Sequence, residues 1–127
     1  MQRLISYIMT SLAAFSLIGC DTSTEWRSGQ YSVYWIDVDL NLGIDAGDGV
    51  SIGRVMHRVC SVGENDKWIV AARHPGGDRA RKEFYYFSKA ADHPFKNADE
   101  IVLGPFTESE FNSHKIRLSL PDFESHF

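Results

Sequence analysis

Oxygen-bearing side chains stand at the first, third, fifth, ninth and twelfth positions of the stretch from Asp37 to Asp48, namely Asp37, Asp39, Asn41, Asp45 and Asp48. A hard cation such as calcium takes carboxylate and amide oxygens at this spacing in a helix–loop–helix site. The match stops there. The sixth position is Leu42 where the sharp turn needs glycine, the twelfth is Asp48 where a bidentate glutamate is usual, and no amphipathic helices flank the stretch. A strand accounts for the same residues more simply. Tyr34, Ile36, Val38, Leu40, Leu42 and Ile44 alternate with Trp35, Asp37, Asp39, Asn41, Gly43 and Asp45, so the spacing predicts one strand with an apolar face and an acidic face.

Other groups that could do chemistry are dispersed. Histidines stand at 57, 74, 93, 114 and 126, none at the close spacing of a metal-binding helix or knuckle, and His74 and His93 precede prolines and so fall in turns. No Gly-x-Ser-x-Gly elbow occurs. Gly47, Gly49 and Gly53 precede no helix that could hold a phosphate. Cys60 lies in a strand-like run with no histidine next to it in sequence and reads as a buried thiol, with a reactive or intermolecularly bridged thiol as the alternative. The residues thus supply no metal set, no cofactor motif and no local catalytic constellation. The expectation is a non-enzymatic protein, the alternative being a small envelope hydrolase or metal-dependent enzyme assembled from distant positions.

Charge is distributed in thirds. Residues 51–89 hold eight basic against four acidic side chains, whereas the segments on either side are acidic. Arg73, Arg79, Arg81 and Lys82 gather around Pro75-Gly76-Gly77, and together with Arg54 and Arg58 they could form one basic face for an acidic protein partner or anionic headgroups. The plainer alternative is a solvated loop that neutralises the acidic strand. Trp35 falls on the acidic side of the expected strand, where a large ring has no evident reason to be wet. It is therefore a candidate interface anchor together with Asp37 and Asp39. The whole chain carries a formal charge of −4, which argues against nucleic acid as the main partner.

Residues 1–20, MQRLISYIMTSLAAFSLIGC, have one positive charge at Arg3, an apolar run from Leu4 to Ile18, then Gly19 and Cys20. This is the layout of a secretory signal, and the run is shorter than the ~20 residues that span a bilayer. Leu17-Ile18-Gly19-Cys20 resembles the lipobox of bacterial lipoproteins, whose cysteine sulfur is acylated and becomes the new N-terminus. The expected organisation is a signal peptide over 1–19, a lipidated Cys20 and polar tether over 20–30, and one β-rich domain over 31–127. Such a protein sits in the bacterial envelope on the periplasmic side, held to the membrane by its N-terminal lipid. Asp21 resembles an inner-membrane retention signal.

The elements that must position these groups read as follows. After the alternating strand, Asp45 to Gly49 turns the chain, a second strand covers Val50 to Val62, and Gly63 to Asp66 turns into a third over Lys67–Ala72. Glu83–Ser88 is an aromatic strand, residues 90–100 form a polar loop, and Ile101-Val102-Leu103 is a short apolar run. Thr107 and Glu110 have capping-box spacing for a helix from Glu108 to about His114, and Ile116, Leu118 and Leu120 alternate as a last strand. The expected fold is mainly β, a small antiparallel sandwich or curled sheet with one short helix in the C-terminal half.

Gly104-Pro105-Phe106-Thr107-Glu108-Ser109-Glu110-Phe111, preceded by the strands Asn65–Ala71 and Tyr85–Phe87, resembles a family of small uncharacterised bacterial lipoproteins over residues 31–120. The resemblance implies the lipid address and the β domain, and it carries over no catalytic residue. In size and address the chain is also similar to immunity proteins that neutralise toxins injected into the periplasm. The expected function is therefore that of a lipid-anchored, periplasm-facing binding protein, with inhibition of an envelope-active toxin as its most concrete form. It would act through Trp35, Asp37 and Asp39 or through Arg73, Arg79, Arg81 and Lys82.

Overall fold

The alternating run from Tyr34 to Asp45 folds as a hairpin, not as one strand. The structure, a computed structural model, describes residues 24–127. In it β2 (Tyr31–Ile36) and β3 (Asp39–Gly47) pair antiparallel across a two-residue turn, with Ile36 opposite Asp39 and Asp37 at φ 55. Aspartate tolerates that left-handed conformation better than most residues. Directly opposed residues share a face, so the core-facing positions switch across the turn from Tyr31, Val33 and Trp35 in β2 to Leu40, Leu42 and Ile44 in β3. The segment expected to be tether also folds, since β1 (Thr24–Ser28) pairs with β2.

The expected second strand is likewise two. β4 (Val50–Val55) pairs with β3, whereas β5 (Val59–Glu64) belongs to the other sheet. His57 and Arg58, both left-handed at φ 67 and 68, turn the chain between the two layers. β6 (Trp68–Arg73) and β7 (Glu83–Ser88) follow as the sequence predicts, then the single turn α1 (Ala98–Ile101), β8 (Leu103–Phe106), α2 (Glu108–Leu118) and the two-residue β9 (Ser125–His126). The sheets run β1-β2-β3-β4 and β8-β7-β6-β5-β9. The fold is mainly β, two antiparallel sheets with one longer helix.

Two apolar layers hold it. Val33, Leu42 and Ile44 of the first sheet meet Val62, Ile69, Ala71 and Phe87 of the second. On the far side of the second sheet, Val70, Ala72, Phe84 and Tyr86 pack with Phe111 and Leu120. This two-sided burial explains why β6 and β7 read as unbroken apolar runs. The capping box forms as the sequence predicts: Thr107 Oγ1 accepts the N–H of Glu110, and Glu110 accepts the N–H of Thr107 at 2.8 Å. The helix then runs past His114 through the expected final strand. Ile116 is exposed, while Phe111, His114 and Leu118, at helical spacing, face the sheet. Gly63 permits the return of the chain, because a side-chain carbon there would stand 2.1 Å from the Asp122 carbonyl oxygen.

The loop after β7 is fastened to the first sheet by an ion pair. The Arg54 guanidinium and the Asp92 carboxylate, both with fully buried side chains, meet at 2.8 Å. Arg54 also donates to the carbonyls of Gly53, His93 and Lys96, and the Tyr31 hydroxyl donates to Asp92 at 2.8 Å. Burial, followed by the bond to Asp92, raises the Tyr31 pKa. Arg54 therefore cannot join a basic face. Arg54→Ala is expected to cost about 3–5 kcal/mol in urea unfolding, because it strands a buried carboxylate. The Arg54→Met, Asp92→Leu double variant should lose less than that single variant; a double loss equal to the sum of the two singles would contradict this account of the pair.

Candidate functional site

Strand directions gather the candidate residues at one end of the molecule. β2 ends there and β3 begins there; β5 starts beside the last residue of β6; β7 starts opposite the end of β6, and β8 ends where α2 starts. The turn at 37–38, the 56–58 crossover, the 74–82 loop and the start of α2 therefore cluster. The turns at 29–30, 48–49 and 65–67 lie at the opposite end. Asp37 and Asp48 thus stand at opposite ends of the nine-residue β3, about 30 Å apart. They cannot share one calcium ion, and among the described residues no group of three acidic, histidine or cysteine side chains is arranged to hold a metal.

Trp35 occupies the other face from the one expected. It pairs with Leu40, so its ring projects on the core side of the sheet beside Val33 and Leu40, at the open edge, and remains 41% exposed. Its indole N–H donates to Glu25 at 2.9 Å. With Val38, Leu40, His74, Arg79 and Phe127 it lines a groove of about 120 Å³ whose wall includes Cys60. Asp39 sits behind this groove: its Oδ2 is 3.4 Å from His57 Nδ1, and its Oδ1 is 3.1 Å from Arg58 Nε without a hydrogen-bonding angle. Asn41, which reads as a wet-face residue, is buried; it accepts the backbone N–H of His57 at 2.8 Å and so fixes the crossover.

The four-residue basic cluster divides. Arg73 is engaged within the fold, 2.9 Å from Glu83, bonded to the Met56 carbonyl at 2.7 Å and lying over the Tyr85 ring at 5.4 Å. Burial first, with the nearby Glu83 charge adding to it, pushes the Tyr85 hydroxyl up to about 12 despite the opposing guanidinium. Arg79, Arg81 and Lys82 are exposed and enter no ion pair among the described residues. They line a cleft of about 500 Å³ together with the apolar Phe84, Pro105 and Phe106 and the carboxylates Glu83, Glu108 and Glu110. Sequence had signalled the cations but not this cleft, because the Gly104-Pro105-Phe106 segment is distant in the chain. Arg79 borders both the cleft and the Trp35 groove, so the two surfaces proposed as alternatives are neighbours.

Two nucleophiles lie nearby. Ser61 Oγ is 2.9 Å from His126 Nδ1, yet Ser61 is buried, and no carboxylate bonds to His126 among the described residues. The Cys60 thiol is 6% exposed, and burial raises its pKa against the weaker downward pull of Lys82. Cys20, Asp21 and the whole signal-like segment lie outside the described residues. Among the described residues no helix is long and apolar enough to cross a membrane.

The buried thiol has a measurable consequence. Since the thiolate is the reactive form, alkylation of Cys60 in the folded chain should be at least about tenfold slower than in urea, and should accelerate at a higher pH than free cysteine does. Equal rates in the two states would show the thiol to be open. Comparison of the chain with family models, with curated proteins and with solved structures finds no match.

Proposed function

We propose that this chain is a lipid-anchored, periplasm-facing, non-enzymatic binding protein whose partner is a protein presenting acidic side chains around an apolar projection. The observation that supports it most directly is the cleft beside α2, where Arg79, Arg81 and Lys82 enter no ion pair among the described residues and share the lining with Glu83, Glu108 and Glu110. Charges of this kind on a rim accelerate encounter and select partners of opposite sign. The apolar lining of Phe84, Pro105 and Phe106 gives an inserted side chain somewhere to lose its water. Inhibition of an envelope-active toxin is the concrete form of this reading, since such an inhibitor needs a stiff scaffold, a tether at the membrane and one complementary surface. Gly19-Cys20 supplies the tether by its lipobox pattern.

A hydrolase has one observation in its favour, the Ser61–His126 contact. Its nucleophile faces packed protein, not the cleft, so the binding reading is the stronger. Ser61→Ala tests it directly, because loss of an ester-cleaving activity from the purified full chain would restore the hydrolase.

The binding reading is tested by charge reversal. In the full chain, Arg79→Glu with Lys82→Glu should lower recovery of the crosslinked partner from envelope fractions by about tenfold or more, and added salt should lower wild-type recovery. Lys67→Glu, at the opposite end, should leave it unchanged. Equal recovery by wild type and the double variant overturns the cleft as the binding surface. Equal incorporation of labelled palmitate by wild type and Cys20→Ala overturns the anchor.

A further inference from the structure

We propose that the tip of the β2–β3 hairpin, Trp35 to Val38, seats against the surface of the lipid bilayer to which Cys20 tethers the chain. This rests on the lipid-anchor reading above and goes beyond it by assigning which end of the domain meets the membrane.

The first support is where the chain enters the fold. Thr24 pairs with Tyr34, and Glu25 accepts the Trp35 indole N–H at 2.9 Å, so β1 begins alongside the hairpin tip. Three residues, Asp21 to Ser23, separate Cys20 from Thr24. Fully extended, that stretch reaches at most about 14 Å. β3, with nine residues, carries the chain about 30 Å from the tip to the opposite end. A leash that short holds the tip at the bilayer and the 48–49 and 65–67 turns away from it.

The second support is what the tip exposes. Trp35, Ile36 and Val38 are 41%, 46% and 70% exposed, and Phe127 beside them is 40% exposed. Exposed apolar side chains clustered at a turn are costly in water and stable at the headgroup boundary, where tryptophan is enriched. The charged neighbours set the depth. Asp37 stands at the tip itself, Asp39 is held by Arg58 and His57, and Glu25 by the Trp35 indole. Carboxylates do not enter hydrocarbon, so the tip lies shallow, with its rings and methyls among the headgroups. The cleft, on the α2 side of this end, stays open to a partner beside the membrane.

The test uses the full chain, processed in a bacterial host and reconstituted in phosphatidylethanolamine–phosphatidylglycerol vesicles. Val38→Cys, at an exposed position where the fold tolerates change, carries an environment-sensitive dye; Asp48→Cys carries it at the opposite end; labelled wild type corrects for Cys60. Headgroup spin-labelled lipid should quench the dye at 38 at least threefold more than at 48. Equal quenching at both sites, with palmitate present on Cys20, overturns the tip docking and leaves the anchor standing. Protection of the dye at 38 from aqueous iodide without lipid quenching shows the tip covered by a second copy, and also overturns it. Absence of palmitate on Cys20 removes the leash and overturns both.

Discussion

A guanidinium and a carboxylate excluded from water would be among the most expensive features of a small domain if either were left alone. Here Arg54 and Asp92 meet each other, and the remaining donors of Arg54 are taken up by the carbonyls of Gly53, His93 and Lys96. Such a pair adds little net stability, because desolvation offsets attraction, but it sets a strong constraint on arrangement. Arg54 belongs to the edge strand of the first sheet and Asp92 to the loop leaving the second. Satisfying both draws that loop over the open edge of β4, which would otherwise invite pairing with another chain.

That closure leaves the two ends of the molecule unlike. At the end away from the hairpin tip, Lys89 binds Glu64 at 2.8 Å and Ser28 donates to the same carboxylate, joining the two sheets. Burial of Glu64 opposes ionisation, but these two donors outweigh it and hold its pKa below the usual carboxylate value. At the other end, Arg79, Arg81 and Lys82 enter no ion pair among the described residues, Trp35, Ile36 and Val38 are exposed at the hairpin tip, and His57 and Arg58 sit in a conformation that side chains rarely adopt.

Much of this was legible in the residues. The Thr107–Glu110 box and the aromatic strand Glu83–Ser88 are local in origin and form as their residues predict, and the turn expected over Gly63–Asp66 forms at 65–67, with Gly63 and Glu64 still in β5. Errors arose where periodicity was blind to direction. Tyr34 and Ile36 are apolar although they stand opposite Asn41 and Asp39, so the run from Tyr34 to Asp45 reads as one alternating strand, whereas the two-residue turn shifts the core-facing positions by one and puts Trp35 on the core side. Ile116, Leu118 and Leu120 satisfy a period of two while Phe111, His114 and Leu118 satisfy the helix, and packing against Phe84 and Tyr86 decides for the helix. Arg54 and Arg58 look equivalent in a basic segment, but one is sealed against Asp92 and the other is half exposed.

By itself the sequence determined the chemical inventory: five histidines dispersed along the chain, cysteines at 20 and 60, and cations concentrated between 51 and 89. It also determined the class of fold, because alternation and turn residues act over a few positions. Only the tertiary structure decided which of those cations are free, that Trp35 and Arg79 border one groove, and that β1 starts beside the exposed tip. The reason is physical. Local propensity fixes what a segment becomes, but which charge is neutralised and which ring stays wet depends on partners tens of residues away, and those are chosen when the two sheets close on each other.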